Sequence, residues 1–183
     1  MTRSGIIIAA LTLAVGVAGQ AVIGNLVSGL FLVADPNFNV GDWIAWSGRE
    51  GTVEAISFRV ARIRTPSNEI VSVPNADLTA NAVTRPYSRN RYRADVDVAV
   101  DYAADVDEAA AILREVARSH PGILDAPAPS VRFLEFGDAT IRLRAQFWIV
   151  DPTRETVAGV RLDYAGRVQE RFEEAEIAMR PAE

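Results

Sequence analysis

The chain has 183 residues, a net charge of −5 at pH 7 and a hydrophobic content of 49%, enough for a real core. It has no cysteine, one histidine (His120) and 19 basic residues, all of them arginine. This excludes disulfides, thiol catalysis, cysteine-ligated zinc and any multi-histidine metal site. The acidic balance, with a pI near 5.0, argues against a nucleic-acid binder, which is usually basic.

No charged residue occurs from Gly5 to Ala34. A bilayer-spanning helix needs about 20 predominantly apolar residues, so this run qualifies with length to spare. Gly19-Gln20-Ala21 resembles a signal-peptide cleavage site. The apolar character nevertheless continues past it through Ile23, Leu26, Val27, Leu30, Phe31, Leu32 and Val33, whereas a signal core spans only about 7–15 residues. The run is rich in Gly and Ala. Each glycine weakens a helix by about 1 kcal/mol relative to alanine, and small residues in membrane helices let another helix come close. At about 100° per residue, Ile6, Leu13, Val17 and Gly24 share one face. Ala10 and Ala14 lie on one flank of it, and Ala9, Thr12, Gly16 and Gly19 on the other. A closed ring of helices needs this plan of ridge, groove and apolar stripe. A single-span anchor that dimerises through its glycines fits the helix alone equally well.

The segment after the run is strand-rich. Asp42 to Trp46 alternates, Ser47 to Gly51 is expected to turn the chain, and Thr52 to Ile56 alternates again. Val60 to Arg64 predicts a third strand, Pro66 to Glu69 a turn, and Ile70 to Val73 a fourth strand stopped by Pro74-Asn75. Short strands at this spacing indicate a small β-barrel or sandwich, with Gly41, Gly48 and Gly51 at its bends.

The rhythm then changes. Asp95 to Val100 alternates as a half-exposed strand. Asp105 is placed to cap a helix whose Ala109, Ile112, Leu113, Val116 and Ala117 form one apolar face, and Pro121-Gly122 ends it. Val131 to Phe136 is strand-like. Ile141, Leu143, Ala145, Phe147 and Ile149 alternate with polar residues and Trp148. Asp151-Pro152 is expected to supply an N-cap and a first-turn proline for a helix through Val160, Tyr164, Val168 and Phe172. A last strand is expected at Ile177-Ala178-Met179. This order is that of a split βαβ, ferredoxin-like unit. The predicted organisation is a membrane helix (1–34), a small β domain (35–86) and an α/β domain (87–183).

Several short motifs occur in a fixed order: Leu13-Ala14-Val15-Gly16-Val17, Gln20, Gly24-Asn25-Leu26-Val27-Ser28-Gly29, Val40-Gly41-Asp42-Trp43-Ile44, Gly48-x-x-Gly51-Thr52-Val53 and Val73-Pro74-Asn75. In this order and spacing the chain resembles the small-conductance mechanosensitive channel (MscS-type) family over nearly its whole length. The resemblance implies a homo-heptamer with a pore-lining last membrane helix, an Sm-like β ring and an α/β cage in the cytoplasm. It implies membrane lipid, permeating ions and small osmolytes as partners, no nucleic acid, and no catalytic residue, metal or cofactor. Leu13 and Val17 match the family's two pore-sealing positions. Rings of such side chains would form an apolar constriction that blocks ions by dewetting. Ala10 and Ala14 would pack against Thr12 and Gly16 of a neighbour. Gly16, Gly19 and Gly29 are places for sliding or bending, and Gly24 takes the bend that the family places at a glycine matched here by Ala21. The rival reading is a membrane-tethered oligomeric scaffold that conducts nothing.

The chain departs from the family in four ways. Only four residues precede the run, where the family carries further membrane helices. The basic-Pro-Phe element at the membrane exit is replaced by Asp35-Pro36-Asn37-Phe38. The chain stops before the C-terminal β-barrel of some members. Arg3 before the run and Asp35 and Asp42 after it would place the N-terminus inside by the positive-inside rule, whereas the family has its C-terminal body in the cytoplasm, below the inner membrane. Arg85, Arg89, Arg91 and Arg93 are candidates to line a vestibule and bias permeating ions; pairing with Asp95, Asp97 and Asp101 is the plainer alternative. His120 lies at a helix end, where a cation is favourable, and no strained nucleophile turn accompanies it. Trp43, Trp46, Phe136, Phe147 and Trp148 are expected in the core or a subunit interface.

Overall fold

The computed structural model describes residues 3–87 and 89–180. They fall into two compact units, Met1–Ser88 and Arg89–Glu183.

The first unit begins with α1 (Arg3–Ala34), an unbroken helix. Its apolar stretch of 30 residues rises about 45 Å at 1.5 Å per residue, more than the roughly 30 Å of a hydrocarbon core. The strands are β1 (Trp43–Trp46), β2 (Arg49–Ile56), β3 (Val60–Arg64), β4 (Ile70–Pro74) and β5 (Val83–Thr84), with α2 (Asn75–Ala80) between the last two. They form one antiparallel sheet in the order β4-β3-β2-β1-β5.

The turn expected over Ser47 to Gly51 is shorter. Trp46 pairs with Arg49, and only Ser47 and Gly48 lie between, with φ of 45° and 74°. Two successive positive φ values make the tight hairpin whose twist matches the strands, so β2 starts three residues earlier than expected. Gly51 is therefore inside a strand. A Cβ there would strike the carbonyl oxygen of Arg64 on β3, a close approach that explains the glycine. Pro74-Asn75 ends β4 as expected, but the short α2 and β5 that follow were not foreseen. The core is Ile44, Trp46, Val53, Ala61, Ile63, Val73 and Leu78, joined by Leu32 of α1 and by Phe38.

The second unit comprises β6 (Arg91–Asp101), α3 (Val106–Ser119), β7 (Ser130–Phe136), β8 (Thr140–Val150), α4 (Arg154–Glu174) and β9 (Met179–Arg180). The sheet order β7-β8-β6-β9, antiparallel throughout, is the ferredoxin-like arrangement. Asp105 caps α3, its Oδ1 accepting from the Asp107 and Glu108 amides at 2.9 and 3.1 Å. All five alternating positions of β8 from Ile141 to Ile149 are buried. Buried Tyr164 packs its ring 4.8 Å from Phe147 and donates its hydroxyl to Leu113 O at 3.0 Å; burial pushes its phenol well above the usual value.

Two expectations need correction. The cap of α4 is Thr153, in a reciprocal capping box with Thr156, and not Asp151 with Pro152 in the first turn. Asp151 instead takes φ of 43° and donates its amide to Asn90 O at 3.0 Å, so it closes the turn before the helix. The last strand is displaced to Met179–Arg180, because Ile177 is buried and its amide donates to Phe172 O at the end of α4. Trp46 and Phe147 are buried in their cores, and Phe136 is 69% exposed in the single chain.

Candidate pore helix and its junction with the β domain

Leu13 and Val17 lie one turn apart on α1, 70% and 63% exposed. Ala10, Thr12, Ala14 and Gly16 are exposed too. The Thr12 hydroxyl donates to Ile8 O at 2.9 Å, so this polar group is satisfied within the helix, as an apolar surrounding requires. A Cβ added at Gly16 or Gly24 would meet nothing within 4 Å, and one at Gly19 only Ile23 Cδ1 at 3.9 Å. No contact within the described chain accounts for these glycines.

Gly29 differs. It is buried, and a Cβ there would lie 2.5 Å from Asn75 Nδ2 and 2.9 Å from the Phe58 carbonyl oxygen. It sits at the centre of a polar junction between α1 and the β domain. Asn25 Nδ2 donates to Ala21 O at 2.9 Å, and its Oδ1 accepts from the Ala76 amide at 3.0 Å. Thr79 Oγ1 donates to Ser28 Oγ at 2.9 Å. Fully buried Asn75 donates through Nδ2 to Ser57 O at 2.8 Å and through its backbone amide to Arg59 O at 3.0 Å. Positions 25, 28, 29 and 32 follow the i, i+3, i+4, i+7 spacing of one helix face, and Leu32 continues that face into the β core. Asn25 and Gly29 belong to one short sequence motif and Asn75 to another; the fold brings the two motifs into one site, and nothing local in the sequence signals a pairing across fifty residues.

The arginines divide between the units. Arg85 belongs to the first; Arg89, Arg91 and Arg93 open the second. Arg91 lies over the Trp148 ring at 5.1 Å, and Arg93 Nε is 3.5 Å from Asp95 Oδ1. Asp97 holds Arg144 through two bonds of 2.6 and 2.7 Å, and Asp101 holds Arg180 at 2.9 Å. The hydrogen bond from Arg144 draws the Asp97 carboxyl below its ordinary value. His120 is buried; its Nδ1 accepts from the Gly122 amide at 3.0 Å and its Nε2 lies 2.8 Å from Asp163 Oδ2. This is a helix-end clamp between α3 and α4. Among the described residues no group of three or more His, Cys, Asp or Glu side chains is placed to hold a metal.

Residues 21–84 match the family model for the mechanosensitive ion channel β-domain, and residues 94–179 that for the C-terminal region of MscS. The chain is 34% identical over 140 residues to the large-conductance mechanosensitive channel MscMJLR of Methanocaldococcus jannaschii, covering 75% of this chain and 38% of that protein. It is 29% identical over 170 residues to the small-conductance channel MscMJ of the same organism, covering 91% of this chain and 48% of the relative. The chain thus spans less than half the length of these relatives. The closed-state crystal structure of Helicobacter pylori MscS superposes with a TM-score of 0.87 at 20% identity, covering all of this chain and 72% of that one. Two family models in the expected order, on the fold just described, show that this chain belongs to the MscS-type mechanosensitive channel family.

Proposed function

We propose that the chain is the pore-lining and cytoplasmic part of a subunit of a tension-gated channel that relieves osmotic stress. It assembles as a homo-oligomer, with seven subunits as the expected number, and its two folded units lie in the cytoplasm below the cell membrane. The observation that carries this reading is α1 itself: an exposed apolar helix with glycines unexplained by its own chain, fixed at one end to a folded domain.

In the ring, Ala10 and Ala14 pack against Thr12 and Gly16 of the neighbour, and Leu13 and Val17 face the axis. Water is excluded from so narrow an apolar passage, and ions are excluded with it. Tension favours the state of larger in-plane area. The helices then tilt apart, with Gly19 and Gly24 as the places that bend and Gly29 as the point where bending meets the β domain. Arg85, Arg89, Arg91 and Arg93 bias the ions passing the vestibule. The test is patch recording of the full gene product in a host lacking its own mechanosensitive channels. Pressure-activated currents are expected, and patches that stay silent at lytic tension would overturn the reading.

A further inference from the structure

We propose that the tip of the β2–β3 hairpin, Phe58 with Arg59, is a membrane-interface anchor: Phe58 enters the headgroup layer of an anionic bilayer and Arg59 meets lipid phosphate. Phe58 is 83% exposed, the most exposed large apolar side chain among the described residues. The loop that carries it is held firmly. The Ser57 amide donates to Val60 O at 2.9 Å, Ser57 O accepts from Asn75 Nδ2 at 2.8 Å, and Arg59 O accepts from the Asn75 amide at 3.0 Å. The backbone of the tip is thus tied inward to a buried asparagine, and the side chains of Phe58 and Arg59 are left to the outside.

Its height follows from α1. The Phe58 carbonyl oxygen packs against Gly29. Asn25 and Ser28 are hydrogen-bonded to the backbone and hydroxyl groups of α2, a polar junction that belongs outside the hydrocarbon, so the hydrocarbon core is placed to end before Asn25. A core beginning at Gly5 and taking about 20 residues ends near Gly24. Gly29 then lies about 7.5 Å further along the axis, within the headgroup layer, where amphipathic and aromatic anchors collect.

Charge points the same way. After Arg3 the first charged residues are Asp35 and Asp42, so the segment leaving α1 offers lipid phosphate no cation. From Ala55 to Asn68 there is no acidic residue, and Arg59, Arg62 and Arg64 are all present. Arg64 is paired with Glu54 at 2.8 Å. The tip therefore supplies, in a chain of net negative charge, the cation that the helix exit lacks.

The inference rests on α1 spanning the membrane, not on conduction. The chain has no cysteine, so Phe58→Cys accepts a single environment-sensitive fluorophore, and Ser67→Cys in the β3–β4 turn serves as the reference. Phe58 is so exposed that its replacement loses no packing. The labelled full chain is placed in vesicles of phosphatidylcholine with one quarter phosphatidylglycerol, some lipids carrying a nitroxide near the top of the acyl chain. The label at 58 is expected to be quenched severalfold more by the nitroxide, and less by aqueous iodide, than the label at 67. Adding Arg59→Glu, or omitting phosphatidylglycerol, should weaken the nitroxide quenching at 58. Iodide quenching equal at both positions overturns the anchor, as does a label shielded from both quenchers, which would reveal a protein contact instead. A chain that fails to float with vesicles overturns the spanning helix and the anchor together; one that floats without nitroxide quenching at 58 overturns the anchor alone.

Discussion

Asn25 Oδ1 accepts a hydrogen bond from the backbone amide of Ala76 at 3.0 Å, joining the membrane helix to the start of α2 across 51 residues of sequence. The same asparagine donates to Ala21 O, so its amide is engaged at both ends. α1 is therefore tied to the β domain by a defined contact, beside the close approach at Gly29.

Removing that contact should loosen the first unit selectively. Asn25→Ala leaves the Ala76 amide without its partner, at a cost of about 1 kcal/mol. Asn75→Ala is expected to cost more, about 1–3 kcal/mol, since a fully buried side chain is lost and Ser57 O loses its donor in a part-buried bond. Thermal unfolding in detergent, read separately for the two units, should show the first transition lowered and the second unmoved.

The glycines of α1 should respond differently to one added methyl. Gly24→Ala meets no atom within 4 Å and gains helix propensity of about 1 kcal/mol, so the fold of the first unit should tolerate it. Gly29→Ala places a Cβ against Asn75 and Phe58 and should cost about 1–3 kcal/mol by overpacking. Equal stability of the two variants would remove the packing explanation for Gly29.

The gate assignment predicts a positional effect. A serine at Val17 or Leu13 hydrates the constriction, so Val17→Ser and Leu13→Ser should open at lower tension and slow cell growth through ion leak. The same change at Ile23, well off that face, should do much less. Patch recordings of the full gene product compare them; thresholds that match across Val17→Ser, Ile23→Ser and the parent would sink the assignment even if the protein conducts.

The seam between neighbouring helices is tested by size. Ala14→Leu overfills a contact expected to be built from Ala10, Ala14, Thr12 and Gly16. Crosslinking in membranes should show fewer higher-order oligomers, and an unchanged ladder would count against the seam.

The second unit should lose stability in acid through Asp97. Its folded pKa is depressed by the hydrogen bond from Arg144. A depressed acid contributes its full stabilisation above the unfolded value, about 3.9 for Asp, and loses it as pH falls through the lower folded value. Asp97→Asn should lower stability at neutral pH by about 1 kcal/mol or less, because the pair is partly solvated. It should also flatten the acid limb of the stability curve below about pH 4, measured by denaturant unfolding across pH.

Much of this molecule was written locally. The uncharged run from Gly5 to Ala34, the alternation of β8 and the Asp105 cap each depend on residues within a few positions of one another, where period and side-chain chemistry act directly. The order of those elements, together with short motifs, was enough for the family. Tertiary structure decided the rest. It moved the cap of α4 to Thr153, because the choice between neighbouring cap residues depends on how the preceding turn is closed, here by Asp151 and Asn90. It added α2 and β5, six and two residues long, too short for any period to show. It gave Gly29 a reason that Gly16 and Gly24 lack within the chain, and it joined Asn25 to Ala76 and Asn75 to Ser57. Such contacts form only after the sheet has folded, because a hydrogen bond between distant residues depends on where the whole sheet carries each partner and not on the neighbours of either.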